Sequence, residues 1–338
     1  MILVTGGTGL VGSHLLYELA NNNKSIKAII RNRAKIDLVK KIFSYYSNDV
    51  DTLINRIDWV DADMLNLAEL DDAFHDVTQV YNCAAVVAIG GKKGTELIDQ
   101  NVTGTENIVN LCLEKGVKKL CHISSIAALG NSINGEMINE ESKWINSKNH
   151  SAYSVSKYKS EMEVWRGVQE GLNAVIVNPS VILGPGIWNS GSGLLFTKAA
   201  KGMKFYTEGV TGYVDVRDVV DSMIQLMESD ITNERFVINS ENISYKDLFD
   251  QVAEVMNVKK PGIKATKGLL KTAYVLDSLA SMLAIKKHEI TKDVIRASNS
   301  RSNYTNEKIK NRINKNFIPV KESIDFIAKK FKEELTMN

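Results

Sequence analysis

The sequence predicts an α/β fold: a doubly wound parallel sheet, followed by a smaller, mostly helical C-terminal cap. Three observations predict it. Short apolar runs alternate with amphipathic stretches up to about residue 180, the pattern of repeated strand–helix units. Residues of distinctive chemistry stand just after those runs, at 6–12, 31, 63, 84, 125 and 179, and a parallel sheet gathers such positions on one carboxyl edge. Beyond residue 180 helical patterns dominate, broken by Gly184-Pro185-Gly186 and Gly191-Ser192-Gly193.

The first unit sets the theme. The apolar run Ile2-Leu3-Val4 ends in Thr5-Gly6-Gly7-Thr8-Gly9-Leu10-Val11-Gly12, and a helical pattern over 10–21 begins at once. Glycines at 6, 9 and 12 suit a tight turn, a close approach to pyrophosphate, and close helix–strand packing. The helix N-terminus then offers unpaired N–H groups to an anion. Gly6, Thr8, Gly9, Leu10, Val11 and Gly12 are therefore expected to hold a dinucleotide, against the plainer reading of a tight βα turn.

The second strand, 26–30, is followed by Arg31-Asn32-Arg33 and Lys35, with no acid before Asp37. A carboxylate here would favour the ribose of NAD, whereas a guanidinium accommodates the 2′-phosphate of NADP. NADP(H) is favoured over NAD(H), with Arg31 as its ligand. A helix over 35–47 and a third strand over 57–60 lead to Asp61-Ala62-Asp63-Met64. Asp63 is expected on the adenine amine and Met64 against the ring. After a helix near 67–75, the fourth strand, 79–83, runs into Ala84-Ala85, small enough for a dinucleotide to lie across the sheet edge.

A long helix over 95–115 contains Asn101, and a fifth strand, 119–123, ends at Ser124-Ser125. The polar loop 130–150 is long for a connection and is expected to act as a lid. A helix over 151–170 opens with Tyr153-Ser154-Val155-Ser156-Lys157, and the strand 174–177 ends at Asn178-Pro179-Ser180. Further helices are expected near 193–201, 217–229, 245–257, 266–284, 288–297 and 319–333, with extended pieces at 212–214 and 235–239. Residues 1–180 thus form a nucleotide-binding domain to which 203–240 partly return, and 181–338 form a substrate cap.

Tyr153 and Lys157 lie four apart on one helix face. An ammonium near a phenol stabilises the phenolate, and a phenol so tuned exchanges a proton with a carbonyl or alcohol oxygen. Ser125 could hold that oxygen. Asn101 could hold a water that refills the proton through Lys157, or simply hydrogen-bond backbone. Scattered histidines without HExxH spacing argue against a catalytic metal.

The chain has 338 residues, 44% hydrophobic and 24% charged, an ordinary globular composition. A net charge of +2 gives no reason to expect nucleic acid as a partner. Three cysteines without CxxC spacing read as reduced and buried. A first strand beginning at residue 2 leaves no room for a leader, and no apolar run reaches membrane length, so a cytoplasmic protein with no membrane contact is expected.

TGGTGLVG, Asp63, Cys83-Ala84-Ala85, NVTGTEN, HISSIAALG, YSVSK, NPSVILGP and GYVDVRDVV occur in an order that resembles the extended short-chain dehydrogenase/reductases, a superfamily that includes the NAD-dependent epimerase/dehydratases. The resemblance spans about 1–220, and Phe317-Ile318-Pro319-Val320 resembles the superfamily's C-terminal end. It implies a Rossmann-type fold and a Ser–Tyr–Lys set at Ser125, Tyr153 and Lys157. Ser124 is the rival serine; Ser125 keeps the spacing to Gly130. Ala84, Ala85, Pro179, Val181, Tyr153 and Lys157 are implied cofactor contacts, Lys157 through the nicotinamide ribose. Asn178 departs from the arginine common before that proline.

Arg31 and the PSxxxGP-type segment resemble the dihydroflavonol reductase and 3β-hydroxysteroid dehydrogenase branch. That implies an NAD(P)(H)-dependent oxidoreductase interconverting a ketone or aldehyde and an alcohol. Between Gly184 and Ala200 the only basic residue is Lys198, while Trp188, Leu194, Leu195 and Phe196 dominate. This favours a small apolar or neutral carbonyl/alcohol substrate, although Arg217, Arg235 and the lysines after 258 could reach in. The alternative is a nucleotide-sugar epimerase or dehydratase with tightly bound NAD, with Ile126-Ala127 after Ser125 counting against dehydration. A non-catalytic dinucleotide-binding protein is the third reading. By analogy a homodimer is expected, pairing helices 95–115 and 151–170 through Val109, Leu113, Val155, Met162 and Trp165.

Overall fold

A computed structural model describes residues 1–86, 94–132, 135–147, 150–266, 268–270, 272, 295–296 and 300–337. Strands β1 (Ile2–Thr5), β2 (Ile26–Ile30), β3 (Ile57–Asp61), β4 (Gln79–Asn82), β5 (Lys119–Ile123) and β6 (Ala174–Pro179) alternate with helices α1 (Leu10–Asn21), α2 (Ile36–Phe43), α3 (Val50–Asn55), α4 (Leu67–Ala73), α5 (Gly94–Glu114) and α6 (Ala152–Gln169). The chain continues through β7 (Val181–Leu183), α7 (Gly193–Ala200), β8 (Phe205–Tyr206), β9 (Val210–Asp215), α8 (Val216–Glu228), β10 (Glu234–Ile238), β11 (Glu241–Ser244), α9 (Tyr245–Met256), β12 (Ile263–Lys264), α10 (Glu307–Ile313) and α11 (Val320–Met337).

Seven parallel strands form the main sheet in the order β10-β6-β5-β4-β1-β2-β3. The order reverses direction beside β1, so the edge between β1 and β4 is the switch point where a dinucleotide is held in such folds. Strands β1, β2, β5 and β6 are buried along their whole length, as a sheet covered on both faces requires. On one face Leu15, Leu19, Phe43, Val219 and Met223 fill the core, and on the other Leu70, Phe74, Ile108, Leu111 and Val164. Helices α5 and α6 pack closely because Gly167 has no side chain: a Cβ there would lie 2.5 Å from Val109 Cγ1.

A second, three-stranded sheet, β11-β9-β7, carries a separate core of Leu183, Phe196, Tyr213, Leu248, Val252, Ile327 and Phe331. The chain crosses between the sheets at Ser180, whose N–H still bonds Ile238 O at 3.0 Å while Val181 already pairs with Tyr213. Asn178-Pro179 therefore continues β6 instead of ending it. The expected helix 35–47 is a 3₁₀ turn over Arg33–Lys35 and then α2, and the short α3, β7 and α10 have no strong local signal. The helices expected at 266–284 and 288–297 fall largely outside the described residues. Of the residues on the expected dimer face, Val109 is fully buried in its own chain's core, while Trp165 is partly buried and donates to Glu161 at 3.3 Å. No helix among the described residues is long and apolar enough to cross a membrane.

Candidate active site

The glycine turn is built so tightly that side chains would collide. Gly6 has φ +66°, and a Cβ on it would lie 2.7 Å from the Ala84 backbone. A Cβ on Gly12 would lie 2.2 Å from Gly6 O. Gly9 caps α1 without any side-chain acceptor for the helix's first N–H groups. No acid occupies the first turn of α1, so an anion meets only donors and the positive end of the helix. This cradle fits a dinucleotide pyrophosphate. Gly12→Ala is expected to cost about 1–3 kcal/mol through overpacking and to abolish dinucleotide binding. A thermal melt and an NADPH fluorescence titration check it, and wild-type values in both would refute the packing argument.

From this turn a groove of about 570 Å³ runs along the sheet edge, lined by Gly6, Thr8, Gly9, Arg31, Asp63, Met64, Ala84, Ala85 and Asn101 among others. Arg31 is mostly exposed, with its guanidinium 3.4 Å from Asp63 Oδ2. Arg33, equally basic on paper, is committed elsewhere: it bonds both oxygens of Asp61 at 3.2 and 2.9 Å and Trp59 O at 3.0 Å. Lys35 also lines the groove. Asp63 is held by its own N–H on Glu69 at 2.8 Å and by the Leu65 N–H on its Oδ1 at 3.0 Å.

The NVTGTEN stretch on α5 builds the groove's other wall. Asn101 clamps the Val86 backbone, accepting from its N–H at 2.7 Å and donating to its carbonyl at 3.0 Å. Both ends of its amide are thereby engaged with the chain after β4, and its Nδ2 also reaches Ser156 Oγ at 3.2 Å. Gly104 leaves room for Met64, whose Cε would be 3.2 Å from a Cβ there, and Asn107 donates to Met64 O at 2.8 Å. Beneath the groove, Thr5 Oγ1 donates to Asn82 Oδ1 at 2.7 Å and accepts from the Ala84 N–H at 3.1 Å. Asn82 Nδ2 meets His122 Nδ1 at 3.1 Å. Burial holds this histidine neutral, with its pKa pushed down to about 3.

Past the groove, β5 and α6 bring the reactive side chains together. Ser151 caps α6, accepting from the Ser154 N–H at 3.0 Å, and so fixes Tyr153 at its first turn. The Ser125 hydroxyl accepts from the Ala127 N–H at 3.1 Å and faces the Tyr153 phenol. Ser124 points away, donating to Glu161 Oε2 at 2.6 Å. Burial raises the Tyr153 pKa above its usual 10.0, and the Ser125 hydrogen bond opposes that rise. Lys157 lies one turn further along α6. Its ammonium donates to Ile123 O at 2.9 Å, and burial lowers its pKa to about 8, opposed by Cys83 and Glu161. The phenol is thus held as an acid by burial, where the sequence suggested a lowered pKa.

Pro179 and Val181 lie outside the groove lining: Pro179 is buried in β6 opposite Ile238, and Val181 packs on the cap core. Leu10 and Val11 serve at the base of the turn, Val11 against the main core and Leu10 beside Gly184. Trp188 and Phe196 do not face the groove either. Phe196 is 1% exposed, and Trp188 packs edge-on against Phe331 and donates to Glu334 at 2.8 Å. Arg217 is paired with Asp215 at 2.7 Å beneath Phe326, and Arg235 with Glu161 at 2.8 Å. The GYVDVRDVV stretch is likewise a docking element: Asp215 accepts from Ser323 at 2.6 Å and Asp218 from the Ile318 N–H at 2.8 Å, binding α11 to the body. Glu161, Asn178, Arg235, Thr5 and Asn82 were not singled out as site residues. Only the i, i+4, i+8 spacing of Tyr153, Lys157 and Glu161 could have pointed to one of them.

The sequence profile of the NAD dependent epimerase/dehydratase family matches residues 2–239. The chain belongs to that family. A putative dihydroflavonol 4-reductase from Synechocystis sp. (strain ATCC 27184 / PCC 6803 / Kazusa) is 28% identical over 266 residues, covering 76% of this chain and 73% of its own. The crystal structure of gox2253 superposes with a TM-score of 0.81 at 25% identity, covering 99% of this chain and 98% of that one. UDP-glucose 4-epimerase from Thermotoga maritima, solved with UDP-glucose, superposes with a TM-score of 0.77 at 20% identity, with 99% of each chain covered. The chain is an enzyme of this NAD(P)-dependent epimerase/dehydratase family.

Proposed function

We propose that this epimerase/dehydratase-family member is an NADP(H)-dependent oxidoreductase that interconverts a ketone or aldehyde and an alcohol. The observation that carries the reading is the meeting of the Ser125 hydroxyl and the protonated Tyr153 phenol beyond the end of the groove. When bound, the cofactor's nicotinamide supplies or accepts the hydride. Ser125 orients the substrate oxygen, held by its own bond from Ala127. Tyr153 gives that oxygen a proton during reduction, and Lys157 holds the nicotinamide ribose. The homology to a putative dihydroflavonol 4-reductase supports reduction of a carbonyl.

The state of Arg217 and Arg235 supports a substrate without a diphosphate. Arg217 and Arg235 are each committed to an internal carboxylate, so neither is available to a nucleotide sugar. The apolar character earlier ascribed to the segment after Gly184 belongs to the cap core instead, since Phe196 and Trp188 pack there. A panel of carbonyls and alcohols followed at the nicotinamide absorbance tests the activity. Stoichiometric NAD⁺ retained through purification, with no turnover, would favour an epimerase instead.

Arg31 is the proposed 2′-phosphate ligand, in the groove and with most of its surface open. Arg31→Ser is expected to weaken NADPH binding about 10- to 100-fold, the worth of charge-assisted hydrogen bonds, and to leave NADH nearly unchanged. Fluorescence titration of both cofactors reads this directly. Tighter NADH than NADPH binding by the wild type would remove Arg31 from the role.

A further inference from the structure

Glu161 is completely buried and takes no part in the proposed chemistry, yet it is bonded to the ends of β5 and β6 and to β10. It sits one helical turn beyond Lys157 and two beyond Tyr153 on α6. Its Oε2 accepts from Ser124 Oγ at 2.6 Å and from Asn178 Nδ2 at 2.8 Å. Its Oε1 accepts from Arg235 at 2.8 Å and from Trp165 Nε1 at 3.3 Å. The same Asn178 nitrogen reaches Ser125 O at 3.1 Å, while Lys157 holds Ile123 O at 2.9 Å. Three successive residues at the end of β5 are therefore fixed by one polar cluster. Arg235 ties the cluster to the loop over 136–142 as well, donating to Glu140 O at 2.9 Å, while Glu140 Oε1 accepts from the Val237 N–H at 2.7 Å.

We propose that Glu161 is a positioning residue: countered by Arg235, its buried carboxylate fixes Ile123-Ser124-Ser125 and the Lys157 ammonium in register with Tyr153. The proposal rests on the Ser125–Tyr153–Lys157 reading above. A hydrogen-bonded core without a charge would brace β5 equally well. A carboxylate beside Lys157 also favours the protonated amine, which a neutral brace does not. The electrostatic neighbours of Lys157 include Cys83 after β4, His122 on β5 and Glu161 on α6, and Glu161 is itself paired with Arg235.

The test is a lysine titration by NMR on the full chain labelled with ¹³C at lysine Cε, with Lys157 assigned through Lys157→Met. Glu161→Gln keeps the side chain's shape and removes its charge. The Lys157 protonation constant is expected to fall severalfold in that variant and to recover in Glu161→Asp. An unmoved Lys157 titration in folded Glu161→Gln would overturn the proposal. If the glutamine variant does not fold, Ser124→Ala decides: loss of one anchor should shift the Lys157 titration detectably, and an unchanged titration counts against Glu161. Turnover is not needed for this readout. A shifted lysine in a protein without NADPH-linked activity would sink the oxidoreductase reading and leave Glu161's hold on Lys157 standing.

Discussion

Tyr153→Phe is expected to lower kcat for carbonyl reduction by about 10²–10⁴-fold, the usual worth of a positioned general acid. NADPH affinity and the melting temperature should stay near wild type, because the phenol oxygen's neighbour is Ser125 and the ring remains in place. The pH profile adds a sign. Burial keeps the phenol protonated past its usual 10.0, so the reducing direction should not lose its acid through neutral pH. A decline in reduction starting near pH 8 would instead report Lys157, whose pKa is lowered to about 8. Steady-state kinetics on the substrate found in the carbonyl panel read kcat and its pH profile, an NADPH titration reads the affinity and a thermal melt the stability. A phenylalanine variant with wild-type kcat would remove Tyr153 from the mechanism.

Arg235→Met is expected to destabilise the fold by about 3–5 kcal/mol, because it leaves the Glu161 carboxylate buried without its counter-charge. Against a typical stability of about 5–15 kcal/mol that loss is close to unfolding. The arginine also braces Glu140 O, so the loop over 136–142 should loosen in the same variant. The double variant Arg235→Met/Glu161→Gln should recover much of the loss, since no unpaired charge is left inside. Denaturant melts of the two single variants and the double variant form the cycle. Additive losses would show that the two side chains do not act as a pair.

Much of this site could be read from the chain. The glycine turn, Arg31, Asp63, Met64, Ala84 and Ala85 all meet along one groove. Each follows a strand, and strand ends of a parallel sheet share an edge whatever the loops do. Ser125 facing Tyr153, with Lys157 one turn on, follows from spacing on α6 and the end of β5. Arg33 could not be told from Arg31 by sequence. Which one opens to the groove depends on Asp61 lying on the neighbouring strand in register with Ile30. The bonds between Asn101 and the Val86 backbone depend on how the chain after β4 meets α5, which no local pattern shows. Trp188 and Phe196 looked like substrate contacts because aromatic residues pack equally well into a core, and α11 supplies the Phe331 that completes one.

By itself, the sequence determined the strand–helix order, the phosphate cradle and the family of chemistry, because periodicity, glycine spacing and helical i, i+4 pairs act within one or two turns of chain. The tertiary structure decided which charges are free. Arg217 and Arg235 are committed to buried carboxylates and Arg33 to Asp61 at the surface, while Arg31, 3.4 Å from Asp63, stays mostly exposed along the groove. Pairing between β10 and α6, or between α11 and the start of α8, joins residues 74 and 108 positions apart. No local pattern encodes such a meeting; it depends on how the sheet orders its strands and how the helices pack on it.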